Sequence, residues 1–201
     1  MSKLLRKIII VIIIIIICIC IFFYINKSKK LKIGNNSTSQ EIIDNILNIS
    51  SYETVIEVEV KSNKNTNRYT IKQKYIFPDI SEQEIIEPEN IQGIKITKKD
   101  NELKVENSKI NMSKIYNDYE YMTDNCLDLN TFIENYKLNK KQIYEEDDDE
   151  IILNTENENN KYTRYQTLYI DKKTGKPTKM EIKDNSKNTS VYILYREVKL
   201  K

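Results

Sequence analysis

The chain opens with an almost uninterrupted apolar run and then changes to patterns in which apolar and polar residues alternate. Ile8–Ile25 contains only isoleucine, valine, cysteine, phenylalanine and tyrosine. At a rise of about 1.5 Å per residue, a helix of this length spans roughly 27 Å, close to the ~30 Å hydrocarbon core of a bilayer. We therefore predict a membrane-spanning signal-anchor helix in residues 1–26, a basic juxtamembrane linker in 27–37 and an extracytoplasmic domain in 38–201.

The residues around this run bear on how it is processed. Basic residues precede it, as they do in both cleaved signals and uncleaved anchors. A cleaved or lipoprotein signal needs a small residue before the cut, but Ile17 stands directly before Cys18. In the same way Ile19 precedes Cys20. We predict an uncleaved single-pass anchor in the cell or spore membrane with the domain outside, and lipidation of Cys18 or Cys20 is the alternative.

Directly after the linker, apolar residues recur at helical spacing. Thr38 with Glu41, or Ser37 with Gln40, matches a capping box, in which the two residues hydrogen-bond each other's backbone N–H groups. The pattern that follows predicts an amphipathic helix. Its apolar stripe consists of Ile42, Ile43, Ile46, Leu47 and Ile49.

From Tyr52 onward the apolar period changes to two, which is typical of half-buried β-strands. In the first strand Ile56, Val58 and Val60 alternate with charged residues, and a polar turn joins it to the next strand as a hairpin. The later predicted strands are Tyr69–Phe77, Ile80–Ile86, Ile94–Ile96, Leu103–Val105, Gln142–Glu146, Ile151–Thr155, Tyr162–Asp171, Pro177–Lys183 and Ser190–Leu200.

A second helix is predicted at Leu127–Tyr136, with Asp124 or Asp128 as its cap. The segment 110–115 before it fits neither period and is predicted to be irregular. Cys126 is predicted to be a small buried hydrophobe. The inward residues of this helix are Leu129, Phe132, Ile133 and Tyr136.

The last strand carries apolar residues on both faces, since Tyr192 and Leu194 lie between the apolar residues of the opposite face. Such a strand is predicted to lie centrally in its sheet. The segment before it, Asp171–Pro177, is predicted to be a hairpin loop in which Gly175 can adopt a positive φ.

Charge excludes one class of partner. The chain has 32 basic and 30 acidic residues. Seven of the basic residues and none of the acidic ones precede residue 33, so the domain holds 25 basic against 30 acidic residues and is net acidic. A surface without an excess of positive charge argues against nucleic-acid binding. We instead expect the basic linker to lie against anionic lipid headgroups.

The absence of histidine excludes much of enzyme chemistry. No Ser-His-Asp triad, Cys-His pair, histidine-ligated zinc or histidine general base can form. Cys126 is the one cysteine outside the apolar run, so the domain has no internal disulfide. We predict that the protein is not an enzyme and has no catalytic, cofactor-binding or metal-binding residues.

Three features allow a functional and a structural interpretation. Glu145–Glu150 is a run of six carboxylates, but it lacks the spacing and the glycine of a calcium loop, which favours a solvated hairpin tip. The tyrosines either line a pocket or are half-buried structural residues, and the second interpretation is favoured. The lysines at 172, 173, 176 and 179 are either solvated or meet an acidic partner.

Four stretches resemble the clostridial germination lipoproteins, the GerS-related family. They are Ile86–Ile96, Leu127–Tyr136, Tyr165–Ile182 and Tyr192–Val198. The resemblance implies an α+β fold of the lipoprotein-carrier (LolA-like) type, a curved antiparallel half-barrel sheet with two helices on its concave face. The present chain differs from the family in its lack of a convincing lipidation site.

The same resemblance implies a function. Members of the family act outside the cytoplasm in spore germination, and the founding type is a non-catalytic partner that activates a cortex-modifying amidase. We therefore predict a membrane-tethered binding module whose partner is an N-acetylmuramoyl-L-alanine amidase of the cell wall. The alternative is a lipid or lipoprotein carrier or sensor that uses the concave face of the sheet. Homodimer formation is left open.

Overall fold

The computed structural model describes residues 38–62, 64–117, 125–139, 142, 144–157 and 160–201. All of them belong to one compact unit, Ile33–Lys201. The predicted anchor and linker, and Asp124 as a cap, lie outside the described residues. Within the described ranges, no helix has the length and apolar content needed to cross a membrane.

The first helix, α1, runs from Ser39 to Leu47 and begins as predicted. The Thr38 hydroxyl accepts a hydrogen bond from the Glu41 N–H at 3.3 Å, and the Glu41 carboxylate accepts one from the Thr38 N–H at 3.1 Å. These two bonds form the capping box with Thr38, and the alternative cap, Ser37, lies outside the described residues. The predicted stripe is buried, because Ile42, Ile43 and Ile46 are each no more than 2% exposed.

Among the described residues, eleven strands form one open, curved antiparallel sheet. Their order across the sheet is β6-β5-β4-β3-β2-β1-β11-β10-β9-β8-β7. Each half is therefore a meander of consecutive hairpins, and β1 and β11 join the halves. The bounds are β1 Ser51–Lys61, β2 Thr66–Ile76, β3 Ile80–Glu87, β4 Ile94–Lys99, β5 Glu102–Asn107, β6 Met112–Tyr116, β7 Tyr144–Glu146, β8 Glu150–Glu156, β9 Tyr165–Asp171, β10 Lys176–Lys183 and β11 Thr189–Leu200.

The predicted central position of the last strand is confirmed. β11 pairs with β1 on one side and with β10 on the other, and Val58 lies opposite Ile193 in the β1–β11 ladder. The loop before β10 is the predicted hairpin loop, and Gly175 has a φ of 63°. Because only glycine adopts such a φ without steric cost, this residue fits the turn.

The second helix, α2, runs from Leu129 to Leu138. Asp128 is its N-cap, since its Oδ1 accepts a hydrogen bond from the Asn130 N–H at 3.1 Å. The helix therefore starts two residues later than predicted. The inward residues are confirmed, with Leu129, Phe132, Ile133 and Tyr136 at most 4% exposed.

Both helices bury their apolar residues against one face of the sheet, here called the helix face. In the described part of the chain no helix lies on the other face, here called the outer face. The core draws on the two helices and on β1, β2 and β8–β11. Val58 and Ile182 are 2% and 0% exposed within it, which confirms that both point inward. The strands β3–β6 add no residue to this core, so their helix face remains available.

Several predicted boundaries are wrong. The segment predicted to be irregular contains a regular edge strand, β6, which was missed because every residue in it is exposed. β9 begins at Tyr165 because Tyr162 lies in a turn and is 67% exposed. Phe77 does not continue the inward face of β2. The strand ends at Ile76, which pairs with Ile80 across the turn, and Phe77 is 66% exposed.

Candidate functional site

The helix face is open over β3–β5, and a pocket of about 520 Å³ lies between these strands and the start of α2. We call it the helix-face pocket. Its walls are apolar where Ile96, Leu103 and Val105 line it. Lys98 and Glu134 also line it and provide charges of opposite sign. The volume is within the range of small-molecule sites.

A cross-strand ladder explains the floor of this pocket. Gln73 lies opposite Gln83, and Gln83 lies opposite Ile96, so the three share the helix face. The Gln73 side chain donates a hydrogen bond of 2.9 Å to the Leu127 carbonyl. Gln83 is 7% exposed, and its Nε2 has no hydrogen-bond partner within the described ranges. The floor of the pocket therefore contains a buried amide donor whose nitrogen has no partner among the described residues.

Asp128 closes the pocket at the helix end. Its carboxylate accepts hydrogen bonds from the Tyr52 hydroxyl, from the Ser81 hydroxyl at 2.6 Å and from the Asn130 N–H at 3.1 Å. Burial, and then the adjacent Asp128 charge, raises the pKa of Tyr52 well above its usual value. Asp128 therefore caps the helix and accepts from three donors at once.

A second cavity, of about 810 Å³, lies on the outer face. We call it the outer groove. Its floor is the outer face of β11, β1, β2 and β3, and the loop from Pro88 to Gln92 forms a side wall. Tyr192 and Leu194 contribute apolar surface to it. The carboxylates that line it are Glu57, Glu59, Glu87 and Glu89.

Ion pairs hold part of the outer groove in place. Arg196 binds Glu57 with two nitrogens, at 3.1 and 3.3 Å, and the pairing raises the pKa of Arg196. Arg68 binds Glu59 at 3.0 Å. Hydrogen bonds from Arg68 and then from Lys61 lower the pKa of Glu59. All of these side chains are substantially exposed, so the pairs orient the groove and stabilise the fold little.

The acidic run and the lysine-rich loop, which are separate features of the sequence, contact each other. Glu145–Glu150 forms the predicted tip of a hairpin between β7 and β8. The lysines around the β9–β10 loop are not simply solvated, because Lys172 and Lys173 of the loop and Lys179 of β10 pair with this tip. The pairs are Lys172–Glu146 at 3.3 Å, Lys173–Asp149 at 3.2 Å and Lys179–Glu150 at 3.9 Å.

The hairpin tip is organised without a ligand. The Asp147 carboxylate accepts hydrogen bonds from the N–H groups of Asp149 at 3.0 Å and Glu150 at 2.7 Å. These bonds lower the pKa of Asp147. In the described part of the chain, no group of three or more Asp, Glu or Cys side chains is arranged to hold a metal ion.

Other sequence-predicted features are structural. Tyr52 stacks on Tyr75 in the core, with ring centroids 5.6 Å apart, which agrees with the structural interpretation for Tyr52. Other tyrosines line cavities, since Tyr75 borders the helix-face pocket and Tyr69 and Tyr192 border the outer groove. Cys126 is only half-buried against the core, so its predicted full burial is wrong. It lies in the turn before α2. Neither the helix-face pocket nor the outer groove was found from the sequence, since both depend on register between strands.

Three solved structures give a measure of similarity. The GerS lipoprotein of Clostridioides difficile, solved in complex with the CwlD amidase, is 27% identical, with a TM-score of 0.52 over 82% of this chain and 96% of GerS. An uncharacterised conserved protein of Thermus thermophilus is 11% identical, with a TM-score of 0.50 over 82% of this chain and 88% of that one. The LolA-superfamily protein NE2245 of Nitrosomonas europaea is 16% identical, with a TM-score of 0.42 over 82% of this chain and 94% of that one.

The sequence itself gives the family. No curated protein sequence is significantly similar to the chain. The family model described as sporulation protein YdcC-like matches residues 6–201, which is nearly the whole chain. This family match and the GerS structure together confirm the resemblance to the GerS-related proteins. The chain belongs to the YdcC-like family of sporulation proteins.

Proposed function

We propose that this protein is a membrane-tethered, non-catalytic partner that activates a cortex-modifying N-acetylmuramoyl-L-alanine amidase during spore germination. The observation that carries the proposal is the likeness to GerS, which was solved bound to the CwlD amidase. The match covers 96% of the GerS chain at 27% identity. Membership of a family of sporulation proteins supports the same process.

The arrangement of side chains supports a binding role rather than a catalytic one. The carboxylate best placed in a pocket, Asp128, is engaged by three donors, and the chain has no histidine to replace it as a base. An activator needs no reacting group, because binding preferentially to the active state of a partner is sufficient to shift its population.

Location is the second part of the proposal. The apolar run of residues 8–25 would place the protein in the cell or spore membrane as a single-pass anchor, with the domain on the extracytoplasmic side. The tether would also raise the local concentration of domain at the membrane surface.

The direct experiment combines co-purification of the amidase with an assay of its activity. The tagged full-length protein is purified from sporulating cells, and co-purifying amidase is identified by mass spectrometry. The purified amidase is then assayed on cortex peptidoglycan with and without the protein. We expect no cleavage by the protein alone and a clear increase in amidase activity when it is added.

A genetic experiment tests the role in the cell. A strain without the gene should lack muramic lactam in its cortex and should germinate poorly. Normal muropeptides together with normal germination would contradict the partner function.

The helix-face pocket favours a second candidate function, that of a lipid or lipoprotein carrier or sensor. Its apolar walls and the unpartnered amide of Gln83 suit a ligand with an apolar body and one acceptor oxygen. The two helices fill the rest of the helix face, which limits such a ligand to about 520 Å³. Mass spectrometry of lipid released from the purified protein distinguishes the functions, since a carrier retains bound lipid and a partner protein does not.

A further inference from the structure

The outer groove contains apolar side chains that the core does not use. Val191, Ile193 and Tyr195 of β11 are buried against the helices, whereas Tyr192 and Leu194 point to the opposite face and are half-exposed. An antiparallel sheet with helices on one side ordinarily presents polar residues on the other side. Large apolar side chains in the middle of the outer face, beside a cavity of about 810 Å³, therefore indicate a surface that a partner covers.

Charge is unevenly distributed across the groove. Glu57 and Glu59 on β1 are neutralised by arginines at 3.1 and 3.0 Å. Glu87 and Glu89 lie on the far side, at the end of β3 and in the loop after it. Neither forms an ion pair with any side chain the structure describes, and Glu87 accepts one hydrogen bond, from the Thr70 hydroxyl at 2.8 Å. Both carboxylates thus lack an ion pair and can attract a cation, while the Lys109 ammonium donates a hydrogen bond of 3.0 Å to the Glu89 backbone carbonyl.

The order of the strands fixes the separation of the apolar and acidic sides. Tyr192 and Leu194 lie on β11 and Glu87 on β3, with β1 and β2 between them. Three strand spacings amount to roughly 14 Å, the length of about four residues of extended chain. A segment that fits the groove therefore carries a cation at one end and a large apolar side chain about four residues away.

We propose that the outer groove is the docking site for such a segment of the amidase partner, an inference that rests on the function proposed above. A lysine or arginine of the segment pairs with Glu87 and Glu89. Its apolar side chain packs on Tyr192 and Leu194. Charge complementarity determines the kind of partner, and the apolar contact supplies the fully desolvated part of the interface.

The first test examines the groove without the amidase. The full-length protein in nanodiscs is titrated into a fluorescent hexapeptide of two lysines, two serines and two leucines, in that order. We expect saturable binding that is weakened roughly fivefold or more by the pair Glu87→Gln and Glu89→Gln, and similarly by Leu194→Asn. A peptide with glutamates in place of the lysines should not bind.

A matched control removes the same charge elsewhere. Glu84→Gln with Glu102→Gln neutralises two carboxylates that are outside the groove and form no ion pair with any described residue. This double variant should bind the peptide like the unchanged protein. Equal weakening by both double variants, or no effect of the groove variants on peptide binding, would overturn the proposal.

The second test uses the amidase and separates the two proposals. If the unchanged protein binds the amidase and the groove variants bind it equally well, the docking site is wrong and the partner function stands. If the peptide binds in the groove but the amidase does not bind at all, the partner function is wrong. Roughly tenfold weaker amidase binding by the groove variants, with unchanged thermal melts, supports both.

The chain's own linker is the competing occupant, because it also contains lysines. Replacing Lys27, Lys29, Lys30 and Lys32 by glutamine removes its charge. Unchanged peptide affinity in this variant supports the partner as occupant. A rise in affinity would show that the linker occupies the groove and would overturn the assignment to the amidase.

Discussion

The Ser81 hydroxyl donates a hydrogen bond of 2.6 Å to Oδ2 of Asp128 and thereby joins the third strand of the sheet to the start of α2. The Tyr52 hydroxyl donates to the other oxygen of the same carboxylate. One side chain thus links the helix cap, the central strand β1 and the strand that borders the helix-face pocket.

Replacing this side chain should therefore be costly. We expect Asp128→Ala to lower the free energy of unfolding by about 3 kcal/mol, because the helix loses its cap and two buried hydroxyls lose their acceptor. Asp128→Asn keeps a capping oxygen and should cost about 1 kcal/mol. Urea denaturation of residues 38–201 followed by circular dichroism measures both, and equal effects of the two substitutions would contradict the shared-acceptor account.

Alkaline pH should destabilise the domain through buried tyrosines. Burial raises the pKa of Tyr75 to about 12, and burial also raises the pKa values of Tyr52 and Tyr195 above the usual value. A raised pKa in the folded state contributes stability that is fully present below the unfolded value near pH 10 and is lost as the pH rises towards the folded value. We expect the free energy of unfolding to fall above pH 10 by up to about 1.4 kcal/mol per pH unit for each tyrosine.

The pH dependence has its own control. Tyr195→Phe removes a hydroxyl that has no partner among the described residues. This variant should lose part of the alkaline slope while keeping most of its stability at neutral pH. An unchanged slope would show that the alkaline transition has another origin.

Charges placed at inward strand positions should unfold the domain. Val58 and Ile182 are 2% and 0% exposed, so Val58→Asp or Ile182→Asp buries a carboxylate without a partner. Such a group costs several kcal/mol, a large share of the roughly 5–15 kcal/mol of a typical domain. Thermal melts test this, with Lys183→Asp on the adjacent outward position as the control. Normal melts of both inward variants would contradict the assignment of the strand faces.

The acidic hairpin tip should be dispensable. Replacing all of Glu145–Glu150 by asparagine and glutamine removes the ion pairs to the lysines of the next loop. The paired side chains are between 25% and 76% exposed, and such partly or fully exposed pairs contribute little. We expect an unchanged melting temperature and unchanged stimulation of the amidase. Loss of stimulation in a folded variant would give the tip a function in binding.

The N-terminal segment should remain on the mature protein. Ile17 and Ile19 occupy the positions where signal processing needs a small residue. Intact-mass measurement of the membrane-extracted protein should therefore give the unprocessed chain. A mature form that begins with acylated Cys18 or Cys20 would disprove the uncleaved anchor and make the protein a lipoprotein.

The sequence predicts those elements whose signals are local. The helix α1 follows from its capping box and apolar stripe, and the strands with one buried face follow from their alternation. The edge strand β6 was missed because Met112 and Ile115 are exposed, so no burial pattern marks it. β6 is a strand because its backbone pairs with that of β5, and this pairing leaves no mark in the local sequence.

Features that depend on register between distant strands were not predictable. The acidic tip meets the lysine loop because Glu150 lies opposite Asp171 in the β8–β9 ladder. The outer groove likewise arises because Leu194 lies opposite Glu57, and Glu57 opposite Thr70. Such alignments are set by the packing of the whole sheet, so they cannot be predicted from short stretches of a single sequence.

The junction of β1 with β11 has a consequence for biosynthesis. Each half of the sheet is a series of neighbouring hairpins that can form as soon as its own residues emerge, since its contacts are short-range. The two halves can join only when residues 189–200, which follow every other strand in the chain, have been made. Premature termination even a dozen residues early would therefore leave two unjoined half-sheets, each with an exposed central edge that is open to aggregation.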